Sequence, residues 1–221
     1  MHIVVINGSP CMQAKSNTEK ILTYFLEGFS ADENTYEIWR LSDRKQWESA
    51  KVAFVQNKQV LFALPLFVEN IPGTMLEFLE KLPPKTLPGT KIAFLLQGGF
   101  PEASQLRCCE SYLETLPGKL GCEYAGTLLH GDMFGIRLMP EKLVASALAL
   151  YIEAGRRYGD TGCFSKMDAD AFAGPELLPS SAVRKFNLIG KPMQKLMMSR
   201  IAKSLGCREK LDAQPYDTPH K

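Results

Sequence analysis

Long apolar runs are missing from this sequence: no stretch reaches the roughly eighteen consecutive apolar residues that would read as a membrane-spanning helix. The N-terminus enters His2-Ile3-Val4-Val5-Ile6 directly, without a basic leader or a cleavage-type segment, so the cytoplasm is the expected location. Charge of one sign is missing as well. Lys+Arg 26 against Asp+Glu 24 leaves a formal net charge of +2, too little for the basic face that nucleic acid requires. Histidine is scarce, at 3 residues, and the cysteines at 11, 108, 109, 122, 163 and 207 form no CxxC pair, so neither a zinc nor an iron–sulfur site is signalled. These thiols are expected to be reduced and mostly buried. No GxGxxG occurs, which excludes the dinucleotide fingerprint. Lys15-Ser16 falls short of a P-loop because Ala14 stands where its second glycine belongs.

What is present is the composition of an ordinary globular protein, 45% apolar and 23% charged over 221 residues, enough for one domain and an extension. Strand-length, β-branched apolar runs recur at Ile3 to Ile6, Tyr36 to Leu41, Gln59 to Leu64, Lys91 to Leu96 and Glu123 to Leu129. Their starts lie about 25 to 30 residues apart, the length of a strand plus a crossover helix. Between them, Asn17 to Phe29 and Thr74 to Leu82 place apolar residues on one helical stripe. Pro101 to Leu116 and Glu141 to Tyr158 complete the helices, with a less regular one over Asp43 to Lys58. Strand–helix alternation with central strands apolar on both faces predicts a five-stranded, doubly wound parallel sheet of the α/β class. Such a sheet binds ligands beyond the carboxyl ends of its strands, beside the point where strand order reverses.

The first of those ends carries the strongest signal. After Ile6 the chain reads Asn7-Gly8-Ser9-Pro10-Cys11-Met12-Gln13-Ala14-Lys15-Ser16-Asn17-Thr18 and then enters a helix. A terminal phosphate needs donors from several directions. Unpaired helix amides, the helix dipole and the side chains of Ser9, Ser16, Asn17 and Thr18 supply them together. The competing account is that Ser16 only caps the helix, with Glu19 closing a capping box.

Gly8-Ser9-Pro10 with Ser16-Asn17-Thr18 resembles the phosphate loop of NADPH-dependent FMN reductases and the related flavodoxin-fold quinone and azo reductases. Pro65-Leu66-Phe67-Val68-Glu69-Asn70-Ile71-Pro72-Gly73 resembles the second flavin loop of that family, and Gln97-Gly98-Gly99-Phe100-Pro101-Glu102 its glycine-rich loop beside the flavin ring. The match spans Met1 to about Tyr158. Two positions depart from the family pattern: Cys11 stands where arginine is common, and Lys15 replaces a loop glycine and offers its own charge to the phosphate. The resemblance implies a flavodoxin-like three-layer sandwich over residues 1–158. It also implies FMN as cofactor, NADPH or NADH as reductant, a small-molecule electron acceptor such as a quinone or free flavin, and a homodimer. The implied cofactor-binding residues are Ser9, Lys15, Ser16, Asn17, Thr18, Pro65, Leu66, Phe67, Val68, Asn70, Gln97, Gly98, Gly99 and Phe100, with no catalytic side chain named. Hydride transfer to a flavin needs no protein base. Gly98 and Gly99 would let backbone amides approach the polar edge of the ring. His130 or Arg137, at the end of the fifth strand, would face a second substrate or a partner subunit.

The alternatives are a flavodoxin-type electron carrier, against which a sequence pI near 8.2 argues because such carriers present an acidic face, and a flavin-binding sensor or scaffold. The remaining residues, 159–221, form an extension with a basic segment from Arg184 to Lys210. Its apolar positions Met193, Leu196, Met197, Ile201 and Leu205 fall at helical spacing, so it is expected to pack on the domain or act as a dimer arm.

Overall fold

The computed structural model describes residues 1–67, 70–204, 206, 207, 209 and 211–213. Five strands, β1 (His2–Asn7), β2 (Thr35–Arg40), β3 (Gln59–Pro65), β4 (Lys91–Gln97) and β5 (Glu123–His130), pair in parallel in the order β2-β1-β3-β4-β5. The chain runs outward from β1 to β2 and then crosses to β3, so strand order reverses between β1 and β3. This is the doubly wound parallel sheet that the strand spacing predicted, in the flavodoxin-like arrangement that the resemblance implied.

Helices cover both faces. On one lie α1 (Asn17–Phe29) and α5 (Glu141–Thr161); on the other lie α2 (Trp47–Gln56), α3 (Gly73–Glu80) and α4 (Ser104–Lys119). The two cores follow from the period-2 alternation of the central strands. Val4 and Ile6 face α2 and α3, while Ile3 and Val5 face α1 and α5. On the second face the helices touch backbone to backbone: a Cβ at Gly28 would lie 1.8 Å from the Ile152 carbonyl oxygen, and one at Gly155 would lie 1.9 Å from that of Phe25. The irregular second helix resolves into a single turn at Arg44–Gln46 followed by α2.

The chain divides into two compact units, Met1–Leu177 and Leu178–Lys221. The first extends past residue 158 because α5 continues to Thr161 and Phe164 is buried against Phe25 and Tyr158. It closes with α6 (Lys166–Ala173). The second unit contains α7 (Ser180–Lys185), a wider helical turn over Phe186–Gly190 and α8 (Lys191–Ser204). Leu205, Arg208 and Lys210 of the basic segment lie outside the described residues. Among the described residues no helix is long and apolar enough to cross a membrane, and no cluster of His, Cys, Asp and Glu could hold a metal ion. All six cysteines are free thiols, yet they are less buried than expected. Cys109 is buried, Cys122 and Cys163 are half-buried, and Cys11, Cys108 and Cys207 are exposed. Cys108 turns to solvent because neighbouring helical positions lie about 100° apart.

Candidate functional site

The first loop is built by its own short side chains. Asn7, buried at the end of β1, accepts from the Ser9 amide through Oδ1 at 3.0 Å, and Ser9 Oγ accepts from the Cys11 amide at 3.3 Å. These are side-chain turns of the kind Asn and Ser favour. A single turn at Gln13–Lys15 follows, with Lys15 exposed. Ser16 then caps α1, its Oγ accepting from the Glu19 amide at 3.2 Å. Only this half of the capping box forms. The Glu19 carboxylate turns instead to the Arg40 guanidinium, whose Nε lies 3.1 Å from both oxygens, and accepts from Asn7 Nδ2 at 2.8 Å. One carboxylate therefore ties the carboxyl ends of β1 and β2 to the first turn of α1. Sequence reasoning missed this hub, since nothing in the spacing of Asn7, Glu19 and Arg40 announces it.

The other carboxyl-edge loops close on this one. Asn17 Nδ2 donates to the carbonyl oxygens of Met133 at 2.8 Å and Phe134 at 3.3 Å, so the side-chain donors expected to face a phosphate are committed to the loop after β5. Buried Thr18 accepts from Gln97 Nε2, at the end of β4, at 2.8 Å. Gly98 is buried, its amide donating to the His130 carbonyl oxygen at 3.0 Å and its own carbonyl accepting from Met133 at 3.0 Å. The Gly98 amide is thus spent within the sheet edge; of the glycine pair, Gly99 is the exposed member. Pro65 ends β3 in register with Gln97, and the amide of Leu66 donates to the Gln97 carbonyl at 2.7 Å. Phe67 and Asn70 exchange backbone hydrogen bonds at 2.8 and 3.1 Å, which turns the loop back on itself. Val68, expected among the flavin-binding residues of this loop, lies outside the described residues.

Two features of this edge stand out. Asn17 Oδ1 and Gln97 Oε1 are buried acceptors without a hydrogen-bond partner, a costly condition for amide oxygens. Around them, every carboxyl-edge loop leading into α1, α3, α4 or α5 exposes a large apolar side chain: Met12 at 70%, Phe67 at 48%, Phe100 at 69% and Phe134 at 53%. His130 does not join them. Its Nδ1 lies 2.8 Å from the Phe172 carbonyl oxygen and its ring packs edge-on against Tyr151 and Phe172, on the α5 side of the sheet. Arg137 is exposed on a single turn, Ile136–Leu138, that is anchored by buried Ile136. Half-open cavities of about 600 and 680 Å³ flank β5 rather than this edge.

Fold and site together define a doubly wound flavodoxin-like protein whose first strand-to-helix loop and neighbouring loops meet along one edge at the topological switch point. No protein-family description and no curated protein matches the sequence. Among solved structures the chain is similar to an FMN-dependent NADH-azoreductase from Bacillus anthracis in complex with FMN, with TM-score 0.54 and 15% identity over 72% of this chain and 100% of that one. It is similar also to an NAD(P)H:quinone oxidoreductase from Methanothermobacter marburgensis, with TM-score 0.54 and 17% identity over 72% and 94%. An NADH:FMN oxidoreductase in its apo form gives TM-score 0.55 and 19% identity over 82% and 98%. At such identities the likeness is one of fold.

Proposed function

We propose that this chain is an FMN-dependent oxidoreductase that takes a hydride from NADPH or NADH and passes electrons to a quinone, a free flavin or a similar small acceptor, working as a homodimer in the cytoplasm. The observation that carries this reading is the pairing, on one edge, of buried unpartnered acceptors with a rim of exposed aromatic and apolar side chains at the N-terminus of α1. A flat heterocycle bearing N–H and hydroxyl donors and ending in a phosphate answers each part of that pairing. The ring N–H and ribityl hydroxyls match Gln97 Oε1 and Asn17 Oδ1, and the rim matches the ring's apolar faces. The fold's likeness to an FMN-bound azoreductase supports the same assignment.

When bound, FMN supplies the two-electron chemistry; the protein binds, orients and shields. The amides opening α1, the hydroxyls of Ser9, Ser16 and Thr18, and the exposed Lys15 would hold the phosphate. Asn17 would contribute its backbone and its unpartnered oxygen rather than its side-chain amide protons. Pro65, Leu66, Phe67, Val68 and Asn70 would border one side of the ring, and Gln97, Gly98, Gly99 and Phe100 the other. Gly98 acts there by holding the loop against β5 rather than by donating. A second subunit would cover the exposed Phe67, Phe100 and Phe134, which as a group are unusual on a monomer surface.

FMN-loaded protein mixed anaerobically with excess NADPH or NADH should lose its oxidised flavin band in one two-electron step and regain it on addition of a quinone. Bleaching by dithionite but not by either nicotinamide would favour an electron carrier. Absence of flavin uptake would overturn both readings. The double variant Ser16→Ala, Thr18→Ala should weaken FMN binding, each lost charge-assisted bond costing about 1.5 to 3 kcal/mol. Unchanged affinity by fluorescence titration would remove the first loop from the site.

A further inference from the structure

We infer a second small-molecule site, separate from the carboxyl edge, in the cavity of about 600 Å³ between the edge strand β5 and helices α5 and α6, and that it takes a flat, uncharged aromatic carrying a hydroxyl or amine donor. The volume lies within the range of drug-sized ligand pockets. Its interior is apolar, formed by Leu128, Leu150, Ala154, Phe164 and Phe172. Tyr151 and Phe172, with ring centroids 4.9 Å apart, complete an aromatic corner around His130.

The polar groups of the wall select the ligand. Arg157 pairs with Glu153 at 3.0 Å and with Asp168 at 2.8 Å, and Ser165 Oγ donates to Asp168 at 2.6 Å. Thr161 Oγ1 is engaged with backbone carbonyls. These groups satisfy one another across α5 and α6. With Asp160 the wall holds three carboxylates against one guanidinium, which disfavours an anion. His130 is different. The Phe172 carbonyl oxygen can only accept, so the proton of the neutral imidazole sits on Nδ1 and Nε2 is left as an acceptor. A free acceptor on a half-buried ring beside aromatic side chains calls for an O–H or N–H donor on a flat apolar body. The same residue serves both places, its backbone carbonyl holding the Gly98 amide at the carboxyl edge while its ring faces α5 and α6.

The test uses the full chain and a matched pair of probes, 7-hydroxyflavone and 7-methoxyflavone, titrated by ligand fluorescence with and without FMN. The hydroxyl form should saturate, with the methyl ether about tenfold weaker. His130→Phe should abolish that difference. Ala171→Phe, a bulky change at an exposed position of the lining, should remove binding of both probes and leave FMN uptake unchanged. No saturable binding, equal affinity for the two probes, or binding unaffected by Ala171→Phe would each overturn the inference. So would a change in sedimentation with Ala171→Phe, which would make the cavity a contact between copies of the chain. Because the FMN titration is read separately, failure here leaves the flavin reading standing, and failure of flavin uptake leaves this result interpretable.

Discussion

Replacing Glu19 by Gln should loosen the whole carboxyl edge, because one carboxylate joins three elements there. Its side chain is 12% exposed and that of Arg40 is 24% exposed, so solvent screens the pair only in part. Glutamine keeps the size and one acceptor oxygen, enough for Asn7 Nδ2. It also turns an N–H₂ toward the guanidinium, so the bidentate contact is lost and a partly buried cation stays behind. Hydrogen bonds to charged groups contribute about 1.5 to 3 kcal/mol, which puts the expected loss at about 2 kcal/mol. For a folded unit of this size that corresponds to a Tm about 4 to 8 °C lower. Thermal unfolding of Glu19→Gln, Arg40→Gln and the double variant closes a thermodynamic cycle. The double variant should be scarcely worse than either single one, with a coupling of about 1 to 2 kcal/mol. FMN affinity should fall as well, since Asn7 and Ser16 set the path of the first loop from this hub. Additive single effects, or unchanged flavin affinity in a destabilised Glu19→Gln, would refute the idea that this ion pair holds the loop.

Three further outcomes follow from packing and charge. Gly155→Ala, whose Cβ would meet the Phe25 carbonyl, should destabilise by about 3 kcal/mol or more in urea unfolding, whereas Gly118→Ala, with nothing within 4 Å, should cost nothing measurable. Burial pushes the Cys109 thiol up to about 12, so iodoacetamide at pH 8 should modify the exposed Cys11 and Cys108 and spare Cys109. Equal labelling of Cys108 and Cys109 would contradict the packing of α4. Hydrogen bonds from Arg44 and then Lys81 hold the Glu77 carboxyl down to about 2. A depressed carboxyl stabilises above its ordinary value of 4.5, and that contribution fades as pH falls toward 2. Glu77→Gln should therefore be slightly less stable than the parent at pH 6, with the gap closing as the pH falls from 4.5 toward 2, a small effect because solvent reaches both partners. A gap as large at pH 2 as at pH 6 would show a different cause.

The alternation of strands and helices was legible because it depends on local composition. β-branched runs of four to seven residues and helical stripes such as Ile21, Leu22, Phe25 and Leu26 write their periods directly into the chain. The loop from Asn7 to Thr18 was legible for the same reason: turn-forming side chains and a cap act over two or three residues, as the Asn7–Ser9 and Ser16–Glu19 bonds do. What the loop's polar groups face was decided only by tertiary structure. Asn17 looked like a phosphate donor until its amide met the Met133 carbonyl, 116 residues away, and Gly98 looked like an open amide until His130 took it. His130 itself read as a residue of the ligand edge, and the pleat of β5 turned its ring toward α5. Glu19, outwardly the second half of a capping box, was drawn off by Arg40. In each case the partner that fixes the group's role lies far away along the chain. Hydrogen-bonding groups brought to the rim of a sheet take the partner that leaves fewest of them buried and unpaired, and only the folded chain brings that partner within reach.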